Sequence, residues 1–241
     1  RKVSDHGCFV AIVGENVDGH DYAPAAYNST TGLVIISSKD LDVPHIRVQD
    51  TVDALGKIAY SYLREIRQYR ETNGLPFDVA GVTGSVGKTT TKDLTRQIFA
   101  SQGPTVAPQA SFNNEIGLPL TILEADNDTR YLLLEMGASG PGHIAYLTDI
   151  APLDVAAVLM VGHAHMGGFG SVEAVARAKS EIIQGLRSSG VAILNADDPR
   201  TMAMAELAPG PVFSFSPSGE PANVRADAVV IGPDGPASAT A

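Results

Sequence analysis

Residues 77 to 92, Phe-Asp-Val-Ala-Gly-Val-Thr-Gly-Ser-Val-Gly-Lys-Thr-Thr-Thr-Lys, constrain this chain more than any other stretch. The apolar run from Phe77 to Val82 reads as a buried strand. It breaks at a glycine turn holding Gly84, Ser85 and Gly87, and Lys88-Thr89-Thr90 then open a helical pattern. That order builds a phosphate cradle. The glycines let backbone N–H groups converge on a polyphosphate, and the helix N-terminus adds the positive end of its dipole. Lys88 has the reach for the β- and γ-phosphates, and the Thr89 hydroxyl can sit on Mg²⁺. The strict motif places glycine where this chain has Val82, so the loop departs from the common pattern. A chance Gly-Lys-Thr-Thr on a surface loop is the alternative, and the order of strand, turn and helix speaks against it.

Composition narrows the class. At 241 residues the chain has room for one large core or two domains. With 44% apolar and 18% charged residues it has the make-up of an ordinary folded protein. A net charge of −10 argues against nucleic acid as the main partner, yet leaves room for a locally positive nucleotide site. The single cysteine, Cys8, excludes an internal disulfide and suits a reducing cytosol; within an apolar run it is expected in the core. No stretch approaches the ~20 apolar residues of a membrane span. The chain opens on Arg1-Lys2 without an initiator Met, which reads as a trimmed start.

Residues 8–13 and 33–37 read as short buried strands around the polar loop Gly14-Glu-Asn-Val-Asp-Gly-His20. Asp50-Thr51 caps a helix to about Arg70, with Val52, Leu55, Ile58, Tyr62, Ile66 and Tyr69 as its apolar stripe. Glu71 to Pro76 looks like a linker, which sets a domain boundary near 76 and gives domains 1–76 and 77–241. Beyond it, strands at 77–82, 131–135, 155–161, 191–195 and 211–215 alternate with helices near 88–101, 142–149, 171–186 and 199–207. The fold class is therefore α/β: a small α/β N-terminal domain, then a P-loop-type domain with a mostly parallel sheet flanked by helices. The tail from Gly232, rich in Pro, Gly, Ala and Ser, reads as a loop.

Ligands of open parallel sheets collect at the carboxyl ends of the strands. Here those ends carry Thr83 to Thr90, then Glu135-Met-Gly, then Gly162-His163-Ala-His165, then Asn195-Ala-Asp197-Asp198. Glu135 is a candidate for a hard cation, with a plain surface carboxylate as the alternative. His163 and His165 alternate and share a face; one is a ligand candidate and the other can simply hold the loop. Lys179 falls in register with Val175 and Ile183 on the buried stripe of its helix. A lysine there snorkels, finds a partner or loses its proton, and a neutral amine can take up CO₂ to give an anionic carbamate. Asn113-Asn114 offers donors to phosphate, or a helix cap.

Taken together these motifs resemble the Mur ligase family of peptidoglycan precursor synthesis. The family loop Thr-Gly-Ser/Thr-X-Gly-Lys-Thr-Thr/Ser corresponds to Thr83–Thr90, with Val86 where Asn or Ser is frequent. Within the family, the branch that joins D-alanyl-D-alanine to UDP-N-acetylmuramoyl-tripeptide is indicated by four stretches. They are Arg1-Lys-Val with Cys8-Phe-Val-Ala and Gly14–His20; Asn113–Thr121; Glu135-Met-Gly-Ala; and His163–Ser171 with Ala176–Ile182. The resemblance implies ATP and Mg²⁺ as cofactors and amide-bond formation through an acyl phosphate. It implies Gly84, Ser85, Gly87, Lys88, Thr89, Thr90 and Asn195 at the nucleotide, and Thr89 and Glu135 on Mg²⁺. It also implies His165 on a second Mg²⁺, bridged by a carbamylated Lys179. Arg1, Asn16, Gly19, His20, Asn113 and Asn114 would face the UDP-linked substrate, in a cytoplasmic monomer with no nucleic-acid or membrane partner.

The family's adenine-contacting stretch and third domain have no counterpart after Asp198, so a truncated, poorly active ligase is expected. The related ligase that adds the third amino acid, and a nucleotide-binding module without catalysis, are the rival readings. The Asn-Asn-Glu-Ile-Gly stretch speaks against the first, and the presence of Lys88, Glu135, His165 and Lys179 against the second.

Overall fold

The structure, a computed structural model, describes residues 3–162, 169–232 and 235–240, with backbone alone from 228 onward. The chain forms two compact units, Arg1–Ser61 and Tyr62–Ala241.

In the first unit β1 (Cys8–Val10), β2 (Val34–Ser37) and β3 (Ile46–Arg47) pair in parallel in that order. Helix α1 (Ala23–Ser29) supplies Ala23 and Ala26 to a core completed by Leu33 and Ile35. The strand expected over 8–13 stops at Val10, because the chain doubles back: Val13 bridges Asp18, and Gly19 N–H donates to Ile12 O at 2.9 Å. A Cβ on Gly19 would stand 2.6 Å from Ile12 O, so only glycine fits there. Cys8, expected in the core, is exposed: β1 is an edge strand and Cys8 falls on its outer face.

Helix α2 (Thr51–Thr72) starts as the sequence indicates, with Asp50 Oδ1 accepting from the N–H groups of Val52 (2.7 Å) and Asp53 (3.0 Å). Its buried face is displaced from the expected stripe. Leu55, Ala59, Leu63, Ile66 and Arg70 are inside, whereas Tyr69 is 44% exposed. Arg70 is tolerated there because its guanidinium donates to Asn127 O at 2.9 Å and Pro76 O at 2.6 Å. The split between the compact units falls within this helix, while residue 76 lies in the turn that follows it.

In the second unit β4 (Asp78–Thr83) leads through α3 (Lys88–Ala100) to β5 (Thr105–Val106), then through α4 (Gly117–Ile122) to β6 (Tyr131–Glu135). Helix α5 (His143–Ile150), β7 (Leu153–Val158), α6 (Val172–Gln184), β8 (Leu186–Asn195), α7 (Pro199–Met202) and β9 (Val212–Ser216) follow, and β10 (Val224–Arg225) completes the sheet. The strand order is β10-β9-β8-β7-β4-β6-β5, and every pairing is parallel. The chain leaves β4 toward one edge and returns past it to build the other half. The switch point of the topology is therefore β4 itself, and a crevice opens beyond its carboxyl end.

Three details differ from the sequence reading. The helix expected over 199–207 is one α-turn followed by a 3₁₀ segment, Ala203–Leu207. The strand expected over 155–161 runs from Leu153 to Val158, with 159–162 left as loop. The tail is not loop: β11 (Asp227–Gly232) and β12 (Gly235–Thr240) pair antiparallel, because strand pairing tolerates the small residues of the tail once a partner lies alongside.

Candidate active site

At the end of β4 the chain reverses through Thr83–Gly87. Thr83 Oγ1 donates to Met136 O at 2.8 Å, and Ser85 N–H donates to Met160 O at 3.0 Å, which ties the loop to the ends of both neighbouring strands. Ser85 Oγ accepts from Gly162 N–H at 2.8 Å. Gly87 has φ of +84°, a conformation that favours glycine, and it turns the loop directly into α3. The first turn of that helix has no side-chain cap, so its N–H groups remain directed into the crevice. Lys88 Nζ donates to Gly84 O at 2.9 Å, which folds the ammonium over the loop. Thr90 is exposed on the outer side of the same turn.

Thr89 faces Glu135 at the end of the adjacent β6, and its Oγ1 lies 3.0 Å from Glu135 Oε2. The other carboxylate oxygen accepts from Asn113 Nδ2 at 2.8 Å. Glu135 is 1% exposed, so this is a buried carboxylate held by one hydroxyl and one amide. Ser111 Oγ is 3.1 Å from Thr89 Oγ1 and closes the arrangement from the loop preceding α4. Among the described residues no group of three His, Cys, Asp or Glu side chains forms a cation cage. One carboxylate beside one hydroxyl is nevertheless the donor set Mg²⁺ uses when phosphate and water complete its shell. Crowding at Gly84 supports the same reading: a Cβ there would lie 2.9 Å from Leu159 Cβ and 3.1 Å from Val86 O, so the cradle is already at its smallest radius. The residues present fit a metal-bound polyphosphate.

Lys179 lies on the buried face of α6, 5% exposed. Its pKa is lowered to about 8, first because burial penalises the charged form and then because the charge of Lys88 opposes it. Of the three sequence alternatives, a lysine easily deprotonated through desolvation is the one this environment supports. His163, His165 and Arg1 lie outside the described residues.

Other predicted residues have structural occupations. Asn195 Nδ2 donates to Leu159 O at 2.8 Å and its Oδ1 accepts from Asp197 N–H at 2.9 Å, so it braces the strand ends beside the loop. Asn114 Oδ1 accepts from Gly117 N–H at 2.9 Å, the helix-cap alternative. In the first unit, Asn16 is exposed at the tip of the reversed loop. His20 is 4% exposed: Ser38 N–H donates to its Nε2 at 3.1 Å, so the proton sits on Nδ1, which meets Asp18 Oδ1 at 2.5 Å. Lys39 pairs with the other oxygen of Asp18 and, with His20, holds that carboxyl well below the usual carboxylate range.

The structure adds groups that the sequence did not mark. Ser139 N–H donates to His143 Nδ1 at 3.1 Å, which leaves Nε2–H to donate to Glu115 Oε2 at 3.0 Å. Glu181 on α6 accepts from Gly142 N–H (2.7 Å) and Ala145 N–H (3.0 Å), capping α5 from another element. Lys92 on α3 is fully buried, with Nζ donating to Pro108 O at 2.7 Å. The Glu115, Glu181 and Pro108 contacts join segments distant in sequence, and only Lys92 gave a sequence signal, as a lysine one helical turn beyond Lys88.

A parallel sheet whose first crossover opens with a glycine loop and Lys-Thr at a helix N-terminus, beside a buried carboxylate, is a P-loop-type phosphate-binding domain. Residues 82–238 match the Mur ligase middle domain family. The UDP-N-acetylmuramoyl-tripeptide–D-alanyl-D-alanine ligase of Mycobacterium leprae is 39% identical over 239 residues, covering 90% of this chain and 45% of the relative. A crystal structure of MurF from Acinetobacter baumannii superposes with a TM-score of 0.85 at 30% identity, covering 97% of this chain and 52% of that one. MurF from Thermotoga maritima in complex with ADP gives 0.82 at 31% identity, covering 96% and 52%. The chain belongs to the Mur ligase family. It spans about half the length of the relatives it matches.

Proposed function

We propose that this chain provides the nucleotide site and the UDP-substrate domain of an ATP-dependent amide ligase that joins D-alanyl-D-alanine to UDP-N-acetylmuramoyl-tripeptide. The observation that carries the reading is the Thr89–Glu135 pair beside Lys88 at the switch point of the sheet. Relatives at 38–39% identity that bear this ligase's name, and a MurF solved with ADP, support it. In this reading residues 1–76 grip the UDP end, with Arg1 and the Gly14–His20 loop nearby, and residues 77–241 bind ATP. The protein works as a cytoplasmic monomer in peptidoglycan precursor synthesis; no helix among the described residues is long and apolar enough to cross a membrane.

ATP supplies the γ-phosphoryl group that converts the tripeptide carboxylate to an acyl phosphate, with ADP as the leaving group. The amine of D-alanyl-D-alanine then attacks the acyl carbon, and the tetrahedral intermediate expels phosphate to leave the amide. The chain's own contribution is positioning and charge. Backbone N–H groups from Val86 to Thr89 orient the phosphates, and Lys88 leaves Gly84 O to neutralise charge on the oxygens of the transferred group. Thr89 and Glu135 would hold Mg²⁺, and Asn113 Nδ2 fixes the Glu135 carboxylate through its other oxygen. Lys179, its pKa lowered by burial, is available as the neutral amine that carbamylation requires, and with His165 it would hold a second Mg²⁺. Asn113 and Asn114 border the substrate phosphates or peptide.

The deciding experiment measures phosphate release with ATP, Mg²⁺, UDP-N-acetylmuramoyl-tripeptide and D-alanyl-D-alanine, with the pentapeptide product checked by mass. Release that needs both acceptor and donor establishes the ligase. Release with a free diamino acid and the dipeptide precursor instead assigns the chain to the ligase adding the third residue. No binding of either nucleotide overturns the reading.

A further inference from the structure

Lys92 is the largest of the side chains with no exposed surface, and it is ionisable. A lysine is rarely kept fully buried unless something holds its ammonium. Here Nζ donates to Pro108 O at 2.7 Å and pairs with Asp93 Oδ1 at 2.8 Å. Pro108 is the last buried residue before the loop enters its exposed stretch at Gln109 and Ala110. That loop delivers Ser111 to Thr89 at 3.1 Å and Asn113 to Glu135 at 2.8 Å. At Asn113 itself it is pinned again, where Gly137 N–H donates to Asn113 O at 2.8 Å. The loop is thus fastened upstream of its two functional residues and at the second of them, and the upstream fastening is a bond from the helix that also carries Lys88 and Thr89.

We propose that Lys92 is a positioning residue of the metal–phosphate site. By drawing Pro108 O against α3 it fixes the loop so that Ser111 and Asn113 arrive at Thr89 and Glu135 in register. The same helix then carries, one turn apart, the lysine that meets phosphate and the lysine that sets the geometry of the metal carboxylate. Asp93, 57% accessible at its side chain, balances the charge from the same helix, while the bond to Pro108 O is the one that reaches the loop. This inference rests on Thr89 and Glu135 being the metal site of the proposed function.

The test uses Mn²⁺ with ADP, read by water-proton relaxation, and the urea midpoint of each variant. Lys92→Met keeps side-chain length and volume and removes the donor. It is expected to weaken Mn²⁺ binding to the ADP complex by ~10-fold, the size typical of losing an outer partner of a metal ligand. Metal-free ADP affinity should stay within about twofold. Because Lys92 acts through the loop, Lys92→Met in an Asn113→Ala background should add little to the loss caused by Asn113→Ala alone. Lys92→Gln, which retains a donor, should recover part of the affinity. Unchanged Mn²⁺ affinity in a folded Lys92→Met protein overturns the proposal, as does full additivity with Asn113→Ala. If both Lys92→Met and Lys92→Gln fail to fold, Lys92 is a core strut and the proposal is likewise wrong. Failure of the unsubstituted chain to bind Mn²⁺ with ADP removes instead the metal site on which the inference stands.

Discussion

Thr89 Oγ1 stands 3.0 Å from Glu135 Oε2, a hydroxyl at the start of a helix against a carboxylate at the end of the neighbouring strand. In the proposed function this pair would hold Mg²⁺ when phosphate is bound. Glu135→Gln keeps the shape and removes the charge. Magnesium-dependent ADP binding, measured by calorimetry, should fall by at least about tenfold, while binding in EDTA stays nearly constant.

In the proposed ligase Lys88 would supply positive charge to the transferred phosphoryl group. Lys88→Ala in the complete enzyme is expected to lower phosphate release by at least ~10²-fold. Turnover near the original rate would separate this loop from the chemistry. The same substitution removes the charge that opposes Lys179, so the Lys179 amine should titrate higher, readable as slower modification by an amine-specific reagent at pH 8.

Lys179 also leaves a signature in stability. Its folded pKa, lowered to about 8, lies below the ordinary lysine value of 10.5. Between those values the unfolded chain holds more protons than the folded one, so this group makes stability rise with pH across that window and costs most below pH 8. Lys179→Met should raise the unfolding free energy from urea titration at pH 6.5 by on the order of 1–3 kcal/mol, and the advantage should shrink toward pH 10. A pH-independent gain would show that desolvation of the ammonium is not its source.

How much of this was legible in the chain itself follows from distance along it. The phosphate loop was readable because strand, turn and helix are contiguous, and Glu135 because it ends an uninterrupted apolar run. The strands β5 and β10 are two residues long and give no periodic signal. The inward face of α2 was misplaced because small Ala59 and carbonyl-bound Arg70 occupy it while Tyr69 looks out. Asn113 on Glu135, His143 on Glu115 and Lys92 on Pro108 are set by loop closure across the sheet, which no local pattern encodes.

Gly19 is a case where a predicted substrate residue has a backbone reason to be what it is. Gly19→Ala would press a methyl group against Ile12 O, 2.6 Å away, and the backbone must shift to admit it. A loss of about 1–3 kcal/mol is expected, confined to the first unit. Hydrogen exchange should show the loss in residues 8–37 while β4 and β6 keep their protection.

Helix α5 has no cap of its own: Gly142 precedes it, and the carboxylate that satisfies its first N–H groups belongs to Glu181, 39 residues further along. An eight-residue helix is too short to persist alone in water. During synthesis, then, the segment bearing His143 leaves the ribosome well before the group that stabilises it. Its first turn gains that carboxylate only after α6 has been made, so an element synthesised later completes one synthesised earlier.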